Sequence, residues 1–297
     1  MTDEYWGTLS IYDHRFSVFY KALVLFDRIV IPVPKQPIYD ITEQELEALD
    51  ADAQFLAEHD AAVRYSWSPE AFDKWCKDLV REALAAGTRD ALYNSRLMLQ
   101  HRAVDLKPMH VEEVVAVPVY GARDGYDSAI EQLAPLPEQL LTLEIAQNIT
   151  VPSGPVPLEV VVDLRARPAF RAAMHSLRKW QTNTLPEVAT ERSRQTVRAA
   201  ARDFEHMIKR YEEAIQEGRF QKQKACVVSI LVLAGATAAA VSGASPILSI
   251  LASAAPALYS LAEAKKPAWK RVQDKDCAAA GVIYEANEAF KRYRRSV

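Results

Sequence analysis

The chain has 297 residues, 49% of them hydrophobic and 25% charged, ordinary values for a folded protein that exclude wholesale disorder and give a prior of about two domains. Its three cysteines, Cys76, Cys226 and Cys277, exclude a disulfide scaffold and a four-cysteine zinc site, and its nine glycines form no phosphate loop, since Gly121 and Gly125 are not followed by Lys-Ser or Lys-Thr. The net charge of −3 is split unevenly: from Leu185 onward there are 18 Lys+Arg against 12 Asp+Glu, while the preceding 184 residues hold 18 against 27, so a negatively charged partner or surface is expected at the C-terminal end.

The opening Met-Thr-Asp-Glu-Tyr-Trp has neither a basic start nor an early apolar core, so no secretory signal is expected and cytoplasmic synthesis is the default. Trp6 to Tyr12 alternates as a weak strand, and Ala22 to Pro34, closed by Pro32 and Pro34, reads as a buried strand. Thr42 with Glu45 forms a capping box ahead of Leu46 and Leu49, and Ser68-Pro69 opens a second helix along Phe72, Trp75, Leu79 and Leu84. A third helical pattern runs from Arg89 to Ala103. Glu112 to Tyr120 is a third strand candidate, with Pro118 placing it at an edge or an end, and Leu158 to Leu164 a fourth. The proline-rich stretch Val151 to Pro157 reads as a linker. Residues 1–165 are therefore expected to form a small mixed α/β domain with a short sheet.

Catalytic signals are sparse in this part. Asp13-His14-Arg15 groups an acid, a base and a cation, but three adjacent residues converge poorly. His101 and His110 stand alone, and His110 with Glu112 and Glu113 lacks the spacing of a helical metal pair. Asp27 and Asp163, each at the end of an expected strand, are the candidates for a metal ion; solvated strand ends are the bland alternative. No other cofactor is expected and no enzymatic motif is present.

Residues 166–297 read as all-helical. Pro168 to Trp180 is a short helix with Phe170, Met174 and Leu177 on one side. Thr184 with Pro186 opens a longer one over 187–217, in which Val197, Ala201, Phe204, Ile208, Tyr211 and Ile215 form a heptad seam. A second seam over 267–295 runs through Trp269, Val272, Ala279, Ile283, Ala286, Phe290 and Tyr293, spoiled only by Asp276. The pair suggests a long antiparallel helical stalk. The fold class expected is thus α+β: a mixed α/β part followed by helices.

Between the seams lie 38 consecutive uncharged residues, Ala225 to Ala262, of which 12 are Ala and 13 are Leu, Ile or Val. Ser242-Gly243-Ala244-Ser245-Pro246 divides them into two helical arms. At 1.5 Å per residue the arms span roughly 27 and 24 Å, short of a bilayer core of about 30 Å. Val228, Leu231 and Leu233 in the first arm, and Ile247, Leu248, Leu251 and Leu258 in the second, are the expected membrane contacts. Lys222, Lys224, Lys265, Lys266 and Lys270 flank the arms and would meet anionic headgroups. The segment resembles the alanine-rich hydrophobic hairpin of colicin-type pore-forming domains, a resemblance of composition and layout over about 40 residues. Separately, Leu23-Val24-Leu25-Phe26-Asp27-Arg28-Ile29, and Leu164-Arg165 leading into a helix, are similar to a bacterial family of unknown function; no activity follows from that similarity.

The reading that follows is a membrane-associating, pore-forming bacterial effector of the defence or toxin type, cytoplasmic and peripheral to or inserted in the inner membrane. Its partners would be anionic lipid and further copies of itself or a partner protein. The alternative is a soluble sensor or scaffold subunit whose hairpin is buried in a bundle or oligomer interface. Nucleic acid is not an expected partner: Lys291, Arg292, Arg294 and Arg295 are basic, but Tyr293 among them belongs to the seam.

Overall fold

The computed structural model describes residues 4–8, 14–37, 41–68, 114–118, 137–191, 194–241, 267–273 and 275–296, together with the isolated positions 70, 74, 77 and 81. Among these residues it is mostly helical, with one small sheet. The elements in chain order are β1 (Glu4–Thr8), α1 (Ser17–Leu25), β2 (Arg28–Pro34), α2 (Glu43–Glu58), β3 (Ala62–Trp67), β4 (Val114–Pro118), α3 (Pro137–Ala146), α4 (Leu158–Ala166), α5 (Pro168–Glu191), α6 (Arg194–Val241) and α7 (Gly281–Ser296), with short 3-10 turns at Ala268–Arg271 and Ala278–Ala280. The helix expected after Ser68 is helical at positions 70, 74, 77 and 81; its remaining residues, and the pattern over 89–103, lie outside the described ones.

The sheet is wholly parallel, in the order β3-β2-β1-β4. Its first three strands are joined through α1 and α2, so the N-terminal part is built of βαβ units, in keeping with the mixed α/β part expected there. β1 pairs with β2 only from Trp6↔Arg28 to Thr8↔Val30, so Pro32 and Pro34 fall past the end of that ladder, where their missing N–H groups are tolerated. Tyr5, Ile29, Ile31 and Val33 point into the main core, and Trp6 and Val30 alternate onto the opposite face. Gly7 leaves room for the buried ring of Phe26, whose Cδ2 would lie 2.6 Å from a Cβ there.

Two expected strands are revised. Ala22 to Leu25 belongs to α1, and β2 begins only at Arg28. The run Val18-Phe19-Tyr20 and Ala22 to Leu25 is buried, and a helix apolar on nearly all sides carries no period that separates it from a buried strand. Leu158 to Leu164 is likewise helix α4, not a strand. Its buried residues Leu158, Val161 and Leu164 recur every three positions, while Glu159 and Asp163 face solvent. That helical spacing outweighs the strand preference of three successive valines. α2 matches expectation: Thr42 accepts from Glu45 N while the Glu45 carboxylate accepts from Thr42 N.

The helical part also differs in its bounds. α5 runs through Pro186 to Glu191, so the next helix starts at Arg194, not 187. The seam is nevertheless inward: Val197, Ala201, Phe204, Tyr211 and Ile215 are buried. α6 then continues without a break to Val241, 48 residues in all. The second seam is a helix only from Gly281. Asp276, at a seam position, is exposed and lies 3.8 Å from Arg210. An unpaired carboxylate is costly to bury, so the chain turns outward there and re-enters through the Cys277–Ala280 turn. Gly281 is required at that re-entry: a Cβ would stand 2.9 Å from the Tyr211 ring.

One buried cluster contains residues of the sheet, α1 and α2 together with residues of α3 to α7, so the core is continuous across residue 165. The stretch expected as a linker is fastened on both sides. Tyr20 Oη donates to the Val156 carbonyl at 2.8 Å and accepts from Val156 N. Tyr293 Oη donates to the Pro155 carbonyl. Asn287 of α7 donates to the Asn148 carbonyl and accepts from Thr150 N.

Candidate functional site

Two polar clusters stand out among the described residues. The first is built where the β1–α1 connection meets α2. His14 Nε2 donates to Asp52 Oδ2 at 2.7 Å, and Arg15 grips the same carboxylate with both prongs of its guanidinium, at 2.7 and 2.8 Å. Arg15 adopts a left-handed backbone with φ of 60°, a conformation that non-glycine residues hold only when neighbours over-determine it. The His14 ring also meets Phe19 edge-on. Asp52 is only 8% exposed. Burial pushes its carboxyl pKa up, but the hydrogen bonds from His14 and Arg15 outweigh that and hold it below the ordinary value.

A carboxyl with a folded-state pKa below its unfolded one adds stability above the unfolded value, about 3.9, and loses it as pH falls through the folded value. Asp52→Asn should therefore cost about 1.5–3 kcal/mol at neutral pH. The gap between wild type and variant should narrow as pH falls below the unfolded value and on through the lowered folded one; urea melts at neutral and at acidic pH measure it. A gap that stays constant into acid would mean that Asp52 contributes no charge to the tie.

The second cluster lies at the amino-terminal edge of the sheet, below Arg28 of β2 and Ala62 of β3. Helix α1 ends there inside the protein without a glycine cap, so its last carbonyls need donors. Two arginines supply them. Arg165, on α4, donates to the carbonyls of Leu23 at 2.7 Å, Phe26 at 2.9 Å and Asp27 at 2.5 Å. Arg178, on α5, donates from Nη2 to the Leu25 carbonyl at 2.7 Å, from Nε to Asp27 Oδ2 at 2.7 Å and from Nη1 to Gln181 Oε1 at 2.5 Å. Its guanidinium also lies 5.1 Å from the centre of the Tyr5 ring, and Asp27 Oδ2 accepts a further bond from Tyr5 N. Cations suit the carbonyl end of a helix, and the planar arginine fork reaches several acceptors at once. Burial lowers the Arg165 pKa to about 10, with Asp27 opposing and Arg178 and Arg28 adding to the effect; the group remains cationic at neutral pH.

These two arginines border an open cleft of about 500 Å³, lined also by Phe170, Arg171, Met174 and His175 of α5 and by His59 and Asp60 of the α2–β3 turn. Asp60 occupies a left-handed turn with φ of 55°, and Arg28 reaches its carboxylate at 3.5 Å. The cleft lies away from the carboxyl ends of the strands, where open parallel sheets commonly bind ligands; the residues that follow β1 and β4 there, 9–13 and 119–136, lie outside the described ones.

Asp27 is thus a shared acceptor in an arginine-rich anchor. Asp163 lies on an exposed part of α4 and does not line the cleft that Asp27 borders. Among the described residues no group of three or more His, Cys, Asp or Glu is placed to hold a metal ion. Val228, Leu231, Leu233, Lys222 and Lys224 fall on the backbone of α6, beyond the last described side chain of that helix. Ile247, Leu248, Leu251, Leu258, Lys265 and Lys266 lie outside the described residues. Lys270 is exposed on a 3-10 turn, with its ammonium 5.6 Å from the Trp269 ring centre. Among the described residues no helix is long and apolar enough to cross a membrane.

The sequence does not single out Asp52, Arg171, His175 or Arg178, and it singles out Arg165 only beside Leu164 at the entry to a helix. Two signals were available. Asp52 follows Leu46 and Leu49 at helical spacing, a carboxylate on an apolar stripe. Arg171, His175 and Arg178 recur at i, i+4 and i+7 along α5. No protein family, curated protein or solved structure matches the chain.

Proposed function

We propose that the protein associates with membranes through the uncharged segment 225–262, presented by α6, and acts as a membrane-permeabilising effector. The observation that supports this reading is the continuity of α6. Its first half is fixed in the core by Val197, Phe204, Tyr211 and Ile215, and the same helix carries the chain through Arg219, Lys222 and Lys224 into the uncharged residues 225–241. From residue 219 to 241 the helix is about 35 Å long. Basic residues at the base of an apolar arm hold that base at anionic headgroups while the arm enters the bilayer, and each charge contributes about 1 kcal/mol near the surface. The small residues of the segment let its two halves pack closely.

Vesicle flotation tests this. With vesicles of phosphatidylglycerol and phosphatidylethanolamine the protein should rise with the lipid, and Lys222→Glu with Lys224→Glu should weaken that rise. Protein left at the bottom of the gradient with anionic vesicles would remove the proposal.

The composition supports a second reading, in which the segment is an interface between copies: 12 of its 38 residues are alanine, which favours close helix contact. It predicts a stable oligomer in sedimentation runs without lipid or detergent.

A further inference from the structure

The geometry points to a binding site for a small phosphomonoester in the cleft between α4, α5 and the α2–β3 turn. Three guanidinium groups, Arg165, Arg171 and Arg178, border one space together with two carboxylates, Asp27 and Asp60. The carboxylates are already engaged: Asp27 by Arg178 and Tyr5 N, Asp60 by Arg28 from outside the cleft lining. Arg165 is bonded to carbonyls, which carry no net charge. The lining therefore keeps a surplus of positive charge even with both histidines neutral. Arg171 and Arg178 lie two turns apart on α5 and both border the cleft, and an anion there would offset their charge.

Counting donors shows which groups are open to a ligand. Arg178 is committed to Asp27, Leu25 and Gln181. Arg171 uses only Nε, toward the Arg165 carbonyl at 3.3 Å. Among the described residues its two terminal nitrogens and both ring nitrogens of His175 carry no hydrogen bond. His59 is oriented by its Nδ1, which donates to the Phe55 carbonyl at 2.8 Å, so Nε2 remains available. An arginine fork and two imidazoles around one space match the several oxygens of a phosphate. Val162, Phe170 and Met174 supply an apolar wall in the same cleft, which suits an ester carrying a carbon skeleton better than inorganic phosphate. The volume lies within the range of small-ligand pockets.

Calorimetry on the full chain tests the site with three probes: phenyl phosphate, inorganic phosphate and phenol. Phenyl phosphate should bind more tightly than inorganic phosphate, and phenol should give no heat. Arg171→Gln with His175→Gln should weaken phenyl phosphate binding at least tenfold. Both side chains are exposed, so the variant should keep the wild-type melting temperature, which shows that any loss is local. An Asp163→Asn control, exposed on α4 but outside the cleft lining, should bind as wild type does. Absence of heat with phenyl phosphate, or equal affinity in the double variant and wild type, overturns the assignment.

Discussion

Replacing Arg178 by alanine is expected to remove about 3 kcal/mol or more of folding free energy, the usual consequence of breaking a buried ion pair from one side. The Arg178 side chain is 6% exposed and its partner Asp27 30%. Its removal leaves the Asp27 carboxylate without its cation and the Leu25 carbonyl at the end of α1 without its donor. It also frees Gln181, which is itself buried. Arg178→Lys should recover only part of the loss, because a single ammonium cannot reach three acceptors in different directions. Guanidinium melts of both variants, of Asp27→Ala and of Asp27→Ala with Arg178→Ala measure this. The double variant should be more stable than the sum of the single losses allows, since each single change orphans the other charge. Strict additivity would mean that the two residues act separately.

The second large effect is expected at Phe204. It is 0% exposed and packs 4.9 Å, ring centre to ring centre, from Trp180 of α5. Phe204→Ala should cost about 3–5 kcal/mol, combining lost transfer energy with the cavity left behind. Phe204→Leu should cost distinctly less, because most of the volume remains. Thermal melts of the pair establish the order. Comparable melting temperatures for wild type and Phe204→Ala would mean that the seam of α6 is not held by the core. That would also take away the fixed root on which the membrane reading depends.

The sequence was most legible where one local rule acted alone. The capping box of α2 needs only Thr42 and Glu45, and both partners lie within a single turn. The α6 seam needs only a repeat of apolar residues, and its burial follows from that repeat. The misreadings share a different cause. Ala22 to Leu25 and Val160 to Val162 are short apolar runs whose local preference does not separate helix from strand; what decided them was packing against elements distant in the chain. The same holds for both polar clusters. Asp52 meets His14 across 38 positions and Asp27 meets Arg178 across 151. No spacing rule reaches that far. His14 and Arg15 of the Asp13-His14-Arg15 triplet converge on a carboxylate that only the fold brings near. The arginine clamp follows from an accounting need, the unpaired carbonyls of a buried helix end, and that need is invisible until the end of α1 is located.

Hydrogen exchange on the unmodified protein, with and without anionic vesicles, addresses the membrane reading most directly. Amides of 197–215 should be protected in both conditions, because that part of α6 is packed in the core. Amides of 225–262 should exchange faster than those without lipid and slow markedly when vesicles are added. Protection of 225–262 that is already complete in water and unchanged by lipid would contradict the account and place the segment inside the protein or its oligomer.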